Sequence, residues 1–170
     1  KKKYIVSNLA EGPGGFIEAI LKIREYNIDD ICYGITLYNH NKFIPDWNKL
    51  KLLRSKKLVL DYGNLYELKD IKKYINHFEK NKANITTADG GFDYSNDFNS
   101  QEINSIRIIF SEISISFMIL EIGGSFICKL FDIYTIQSMK LIYLLYCYFK
   151  EINIYKPKTS RPANSEKYII

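Results

Sequence analysis

The chain has 170 residues, 46% of them hydrophobic, which is enough for one domain with a substantial core and too few for two comfortable ones. Its 24 lysines and arginines against 19 acidic residues leave a formal charge of +5, compatible with a polyanionic partner without demanding one. The three cysteines, Cys32, Cys128 and Cys147, lie too far apart for a disulfide framework or a CxxC metal pair and point to a reducing compartment, while the longest apolar run, Leu141 to Phe149, is about half the roughly 20 residues that span a bilayer.

In chain order, strand-like and helix-like segments alternate. "KYIVSNL" (Lys3 to Leu9) reads as a strand, "GFIEAILKIREYN" from Gly15 to Asn27 as a helix, and "ICYGITL" (Ile31 to Leu37) as a strand. "KLVLDY" is a short strand leading into the amphipathic helix "ELKDIKKYINHFEK". Then come "NITTAD" as strand, a long helix from Gln101 to Glu121, and "SFICKLF" as strand. The helix around "QSMKLIYLLYCYFK" and the strands "EINIYK" and "EKYII" complete the chain. Short buried strands alternating with helices imply an α/β fold, a mostly parallel sheet covered on both faces, whose functional crevice lies at the carboxyl ends of the strands. The chain opens with "KKKYIV" running into a strand and closes inside "KYII", so a fragment of a longer protein is expected.

The residues at those strand ends carry the functional signal. After the first strand comes "NLAEGPGGFIEAI", whose Gly12, Gly14 and Gly15 permit a tight turn and close approach of a ligand to a helix N-terminus. It matches neither the GxGxxG fingerprint nor a phosphate loop, and Glu11 suits a cationic ligand group such as an ammonium or sulfonium. The alternative is a plain Gly-Pro turn between strand and helix. After the fourth strand, "TADGGF" places Asp89 in the crevice facing the glycine turn. Lys129, inside "FICKLF", either pairs with a carboxylate, has a lowered pKa that makes it a usable base, or sits at a strand edge with its amine in solvent. Glu166, at the end of "SRPANSE", can reach the crevice of Asp89 and Lys129, although such a segment taken alone is more often a polar turn. Trp47 and the many tyrosines read as core more readily than as base-stacking platforms, and His40 and His77, without metal-ligand spacing, read as surface residues. No metal is expected.

"NLAEGPGGFIEAI", "YGITL", "TADGGF", "GGSFICKLFD", "LIYLLYCYF" and "KPKTSRPANSEKYII" occur in the order and approximate spacing of the FtsJ-like RNA 2′-O-methyltransferases, a family the chain resembles over nearly its whole length and most strongly from Thr87 to Ile170. Within that family it looks most like the mRNA cap-1 enzymes of eukaryotes and large DNA viruses. The resemblance implies a Rossmann-like S-adenosylmethionine-dependent methyltransferase fold, as a single domain over residues 1–170. Its sheet would have seven strands in the order 3-2-1-4-5-7-6, the last antiparallel. Such enzymes carry a Lys-Asp-Lys-Glu tetrad, of which three members map here onto Asp89, Lys129 and Glu166. The first lysine lies on a helix upstream of the glycine turn in the family, and Lys1, Lys2 and Lys3, as lead-in to the first strand, are not assigned its role.

By the same resemblance, the segment Glu11, Gly12, Pro13, Gly14, Gly15 and Phe16 contacts the methionine end of S-adenosyl-L-methionine. Its ribose and adenine fall near Thr36 and Leu37 and near Asp61 and Asn64; "YGITLYN" lacks the acidic residue that commonly ends the second strand, which shifts the expectation for the ribose towards Asn64 or Asp61, and Asp89 borders the cofactor as well. Lys156, Lys158, Ser160 and Arg161 are candidates for RNA phosphates, against the alternative of a solvated basic loop. The implied activity is 2′-O-methylation of the first transcribed nucleotide of capped RNA, cap-0 to cap-1. A ribosomal or transfer RNA 2′-O-methyltransferase, or a non-catalytic S-adenosylmethionine- or RNA-binding subunit of a capping assembly, is the alternative. The implied partners are capped RNA and a partner protein or flanking domains of such an assembly, with no membrane. The implied location is intracellular, in the nucleus or cytoplasm, the latter including a viral factory.

Overall fold

A computed structural model describes residues 3–38, 46–47, 57–91, 100–161 and 163–170. Lys1, Lys2, His40, Phe92, Pro162 and most of "FIPDWNKL" lie outside the described residues. Among the described residues, seven strands form one sheet: β1 (Ile5–Leu9), β2 (Ile31–Thr36), β3 (Leu58–Tyr62), β4 (Ala83–Ala88), β5 (Leu120–Leu130), β6 (Ile154–Tyr155) and β7 (Lys167–Ile169). The helices among them are α1 (Gly15–Ile23), α2 (Leu68–Ile75) with a 3-10 turn over Asn76–Phe78, α3 (Gln101–Ile119) and α4 (Ile136–Tyr148). Strand order is β3-β2-β1-β4-β5-β7-β6, as the family resemblance implies. The first five strands in space are parallel, and β7 runs antiparallel to both β5 and β6.

Side chains alternate across a strand, so neighbouring residues on β1 report the two faces. Val6 joins Ile17, Leu21, Cys32 and Trp47 in one cluster under α1. Ile5 and Leu9 join a larger cluster with Tyr74, Phe78, Ile113, Ile119 and Leu145 from α2, its 3-10 turn, α3 and α4. Trp47 is therefore core, as its sequence context suggests. α3 spaces Ser105, Ile108, Ile109, Glu112, Ile113, Ser116 and Ile119 at three- and four-residue intervals, so one stripe of the helix is buried and fixes its orientation on the sheet. Each fully buried isoleucine of that stripe contributes about 1.5–3 kcal/mol relative to exposure.

Three boundaries differ from the sequence expectation. α1 stops at Ile23 rather than Asn27, because Glu25 and Tyr26 take positive φ and the chain closes on itself through Tyr26 N–H to the Leu21 carbonyl at 2.8 Å. Arg24 then pairs with the buried Asp30, Nε to Oδ2 2.8 Å, fixing the start of β2. β5 begins at Leu120, directly after α3, with an irregular register against β4 where Gly123 turns at φ 83°. β6 is reduced to Ile154 and Tyr155, where six residues were expected. Among the described residues, no helix is long and apolar enough to cross a membrane.

α1 covers β1, β2 and β3 on its face. On the same face of β5, β7 and β6, a cleft of about 420 Å³ lies between Phe16, Ile127, Tyr155, Ser160, Glu166 and Tyr168.

Candidate active site

The glycine turn is built around an acid. Gly14 holds φ 106° at the N-cap of α1, a conformation that disfavours any side chain, and its N–H donates to the Glu11 carbonyl at 2.7 Å. With no side chain at the cap, the Glu11 carboxyl takes that role: Oε1 accepts the Phe16 N–H at 2.5 Å. The side chain is buried, and Oε2 has no hydrogen-bond partner among the described residues. Burial pushes the Glu11 carboxyl up to about 8, with the neighbouring charge of Asp89 adding to the rise and the Phe16 and Ile17 N–H groups opposing it. Thr36, at the end of β2, braces the turn by accepting the Gly12 N–H at 3.3 Å.

Across the crevice, Asp89 follows β4 with its N–H bonded to the Leu9 carbonyl at 3.1 Å. Lys129 on β5 reaches it twice: Nζ lies 2.8 Å from the Asp89 carbonyl and 3.1 Å from Oδ1. The lysine side chain is 13% exposed, so of the three sequence readings the one that pairs it with a carboxylate describes its setting. Tyr168 sits opposite Lys129 in the β5–β7 register. Its hydroxyl lies 3.2 Å from Asp89 Oδ1 and 3.4 Å from Glu166 Oε1. One phenol thus links the two carboxylates, and burial together with both charges raises its pKa strongly, keeping it a donor. The Phe16 ring packs on Tyr168 with centroids 5.8 Å apart.

Behind this group, fully buried Glu112 of α3 accepts the Gly90 N–H at 2.9 Å through Oε1. A Cβ on Gly90 would fall 2.5 Å from that oxygen, so only glycine lets the turn after β4 lie against α3. Burial raises the Glu112 carboxyl to about 8 against the lowering pull of Gly90 N–H and Lys129. Neither Glu112 nor Tyr168 stands out in the sequence. The available signal for Tyr168 was parity, because residues two apart in extended chain, as 166 and 168 are, face the same way.

The remaining candidates separate. Leu37 is exposed beside the turn, and Asn64 is half-buried, its Oδ1 accepting the Tyr66 N–H at 2.9 Å. Asp61 is drawn away from the crevice, because Leu60 takes the α1 face and Asp61 the other. There Lys73 Nζ meets Oδ1 at 2.9 Å and His77 Nε2 meets Oδ2 at 2.7 Å. Burial would raise the Asp61 pKa, but these two partners outweigh it and hold it below its ordinary value. His77 is accordingly a half-buried partner stacked on Tyr33 rather than a surface residue. In the loop before β7, Lys158 and Arg161 are exposed, Ser160 is half-buried, and Lys156 turns its amine inward onto the loop itself.

An orphaned buried carboxyl oxygen in a turn that would meet a positively charged group, with open space above Gly15, is the chemistry that the methionine end of S-adenosylmethionine requires. Glu11, Gly12, Pro13, Gly14 and Gly15, with Thr36 behind them, fit that group.

The FtsJ-like methyltransferase family model matches residues 1–170. The human cap-specific mRNA (nucleoside-2′-O-)-methyltransferase 1 is 33% identical over 178 aligned residues, which take in 96% of this chain but 21% of that protein. The chain thus spans about a fifth of the length of the curated relatives it matches. Among solved structures, a Plasmodium falciparum chain named as a ribosomal RNA methyltransferase superposes with a TM-score of 0.73 at 19% identity, over 99% of this chain and 85% of that one. Human methyltransferase-like protein 13, in complex with S-adenosylhomocysteine, superposes with a TM-score of 0.60 at 11% identity, over 98% of this chain and 70% of that one.

Proposed function

The chain belongs to the FtsJ-like methyltransferase family, and from that premise we propose that it carries out S-adenosylmethionine-dependent 2′-O-methylation of the first transcribed nucleotide of capped mRNA, as the methyltransferase domain of a longer protein. The observation that carries this reading is the convergence of Asp89, Lys129 and Glu166, through Tyr168, at the rim of an open cleft. The cap-specific assignment draws on the 33% identity to the human cap enzyme across 96% of the chain.

Bound at the glycine turn, the cofactor supplies an electrophilic methyl group on a positively charged sulfur. A ribose 2′-hydroxyl is a weak nucleophile at neutral pH, so the protein orients it in line and accepts its proton. Lys129 is the group for both tasks: its nitrogen would bind the hydroxyl and, in its neutral form, take the hydroxyl proton. The Asp89 carboxylate and carbonyl fix the direction of that nitrogen. The Tyr168 hydroxyl lies within reach of both Asp89 and Glu166 and can donate its one proton to either carboxylate. Lys158 and Arg161, next in sequence to the cleft-lining Pro157, Thr159 and Ser160, would contact the RNA backbone, positioning it without reading its bases.

The test is transfer of labelled methyl to three matched RNAs by the full-length protein: cap-0, uncapped, and cap-0 already methylated at the first 2′-hydroxyl. Label confined to the cap-0 RNA supports the proposal. Label in uncapped RNA redirects it to ribosomal or transfer RNA, and cofactor binding without label in any RNA replaces it with a non-catalytic role.

A further inference from the structure

Lys156 reads from the sequence as one more cation for RNA phosphate, but its surroundings assign it another task. Its Nζ lies 2.6 Å from the Asn164 carbonyl, 2.9 Å from the Glu166 carbonyl and 3.3 Å from Ser160 Oγ, and it also meets Asn164 Oδ1. An ammonium has three protons, and the acceptors around this one, all from the loop between β6 and β7, outnumber them. Ser160 Oγ in turn donates to Asn164 Oδ1 at 3.0 Å, and two tight turns, Ser160 N–H to the Pro157 carbonyl and Asn164 N–H to the Arg161 carbonyl, complete the loop. At its far end Ser165 Oγ reaches Gln101 Oε1 of α3 at 2.8 Å.

We propose that Lys156 is a positioning residue of the methyl-transfer site: its ammonium gathers Ser160, Asn164 and Glu166 around itself and so sets where Glu166 leads into β7. This rests on the methyltransferase reading above. The Glu166 carbonyl that Lys156 holds belongs to the residue whose carboxylate shares the Tyr168 hydroxyl with Asp89, so the lysine acts on the site through Glu166 rather than by touching substrate. Three donors radiating from one nitrogen suit acceptors arranged around a point, which the planar fork of an arginine does not reproduce. The exposed Lys158 and Arg161, unlike Lys156, are not drawn into this set of loop acceptors.

The experiment compares full-length wild type with Lys156→Met, Lys156→Arg and Lys158→Ala. It reads methyl transfer to a cap-0 oligoribonucleotide, the salt dependence of binding that RNA, and amide hydrogen exchange across residues 157–166. Lys156→Met is expected to lower kcat about tenfold, the low end of what one charge-assisted hydrogen bond is worth. It is expected to leave the slope of log K against log salt unchanged and to speed exchange through the loop, with Lys156→Arg restoring neither kcat nor exchange. Lys158→Ala is expected to reduce the slope by about 0.7, one phosphate contact on a single strand, with loop exchange unchanged. A Lys156→Met protein that loses about 0.7 of slope with unaltered exchange, or that matches wild type throughout, overturns the inference. A wild-type protein that methylates no RNA overturns the functional reading instead, and the exchange data still decide whether Lys156 holds the loop.

Discussion

Lys129 meets Asp89 through two different oxygens, the backbone carbonyl at 2.8 Å and the carboxylate Oδ1 at 3.1 Å, so the lysine nitrogen is aimed by main chain and side chain together. A carboxylate alone would fix a distance; adding the carbonyl fixes a direction. Replacing Lys129 with methionine keeps the stem and removes the nitrogen, and methyl transfer is expected to fall by about 10²–10⁴-fold, the span of a general base. Calorimetric affinity for S-adenosylmethionine is expected to stay within about twofold, because the glycine turn is untouched, so the whole loss falls on transition-state stabilisation. Lys129→Arg is expected to remain inactive, since a guanidinium does not give up its proton. Turnover near wild type in either variant removes Lys129 from the chemistry.

Tyr168→Phe deletes one oxygen and keeps the ring that packs on Phe16. Asp89 and Glu166 then lose their common donor. A hydrogen bond to a charged group is worth about 1.5–3 kcal/mol, so kcat is expected to drop about 10- to 100-fold with the thermal midpoint nearly unchanged. A fall in midpoint with kcat preserved would make the phenol a packing residue.

The buried Glu112 gives stability a pH signature. Its carboxyl titrates at about 8 in the folded chain, above its ordinary range, so over the interval up to that value the folded state holds a proton that the unfolded state has released. Stability from this group is complete at low pH and is lost as pH rises through about 8, with a slope approaching 1.4 kcal/mol per pH unit. Glu112→Gln keeps an acceptor for Gly90 N–H and cannot ionise. Urea unfolding at several pH values from about 5 to about 8 is expected to show a flatter decline in the variant, with Glu11 supplying the slope that remains. Glu112→Leu removes the acceptor, and a loss of about 1–3 kcal/mol is expected for the Gly90 N–H left buried and unpaired. Equal slopes in wild type and Glu112→Gln would show that the carboxylate is ionised in the fold.

Glu11 couples the cofactor to protons. Empty of ligand, its carboxyl is held neutral by burial up to about 8, whereas a sulfonium or ammonium beside Oε2 favours the ionised form. Cofactor affinity is therefore expected to rise as pH increases toward 8 and to level above it, by at most about tenfold per unit. In Glu11→Gln, titrated alongside, that part of the pH dependence disappears and affinity drops. Identical profiles for the two proteins would assign Glu11 to capping α1 and nothing more.

The parts of this site that were readable from the sequence are those where residue type and strand end coincide. Asp89 could be placed because it closes a strand-like run, Lys129 because its charge interrupts an apolar one, and Glu166 because it belongs to a polar cluster before a strand. Asp61 was misplaced because its neighbours fix which face of β3 it takes: Leu60 belongs to the cluster under α1, so Asp61 turns to Lys73 and His77. The role of Lys156 was hidden for a different reason. A cation in a polar loop looks the same on paper whether its acceptors are phosphates or the carbonyls of its own loop. The early end of α1 depends on two residues with positive φ, Glu25 and Tyr26, that carry no glycine to announce them. The Tyr168 bridge requires the antiparallel register of β7 against β5, a long-range pairing that no local pattern encodes.

That register has a consequence for how the protein can vary. Because β7 enters the sheet beside the exit of β5, Glu166, immediately before the strand, and Tyr168, inside its three residues, arrive at the site two residues apart. The loop before it can grow or shrink and still close, since loop length costs little. A single residue added or lost within the strand is a different event: it would turn Tyr168 into the apolar layer against α3 and α4 and bring Ile169 out over Lys129. Among descendants of this chain, length changes should therefore accumulate on one side of Glu166 and be purged on the other, with parity rather than distance as the selected quantity.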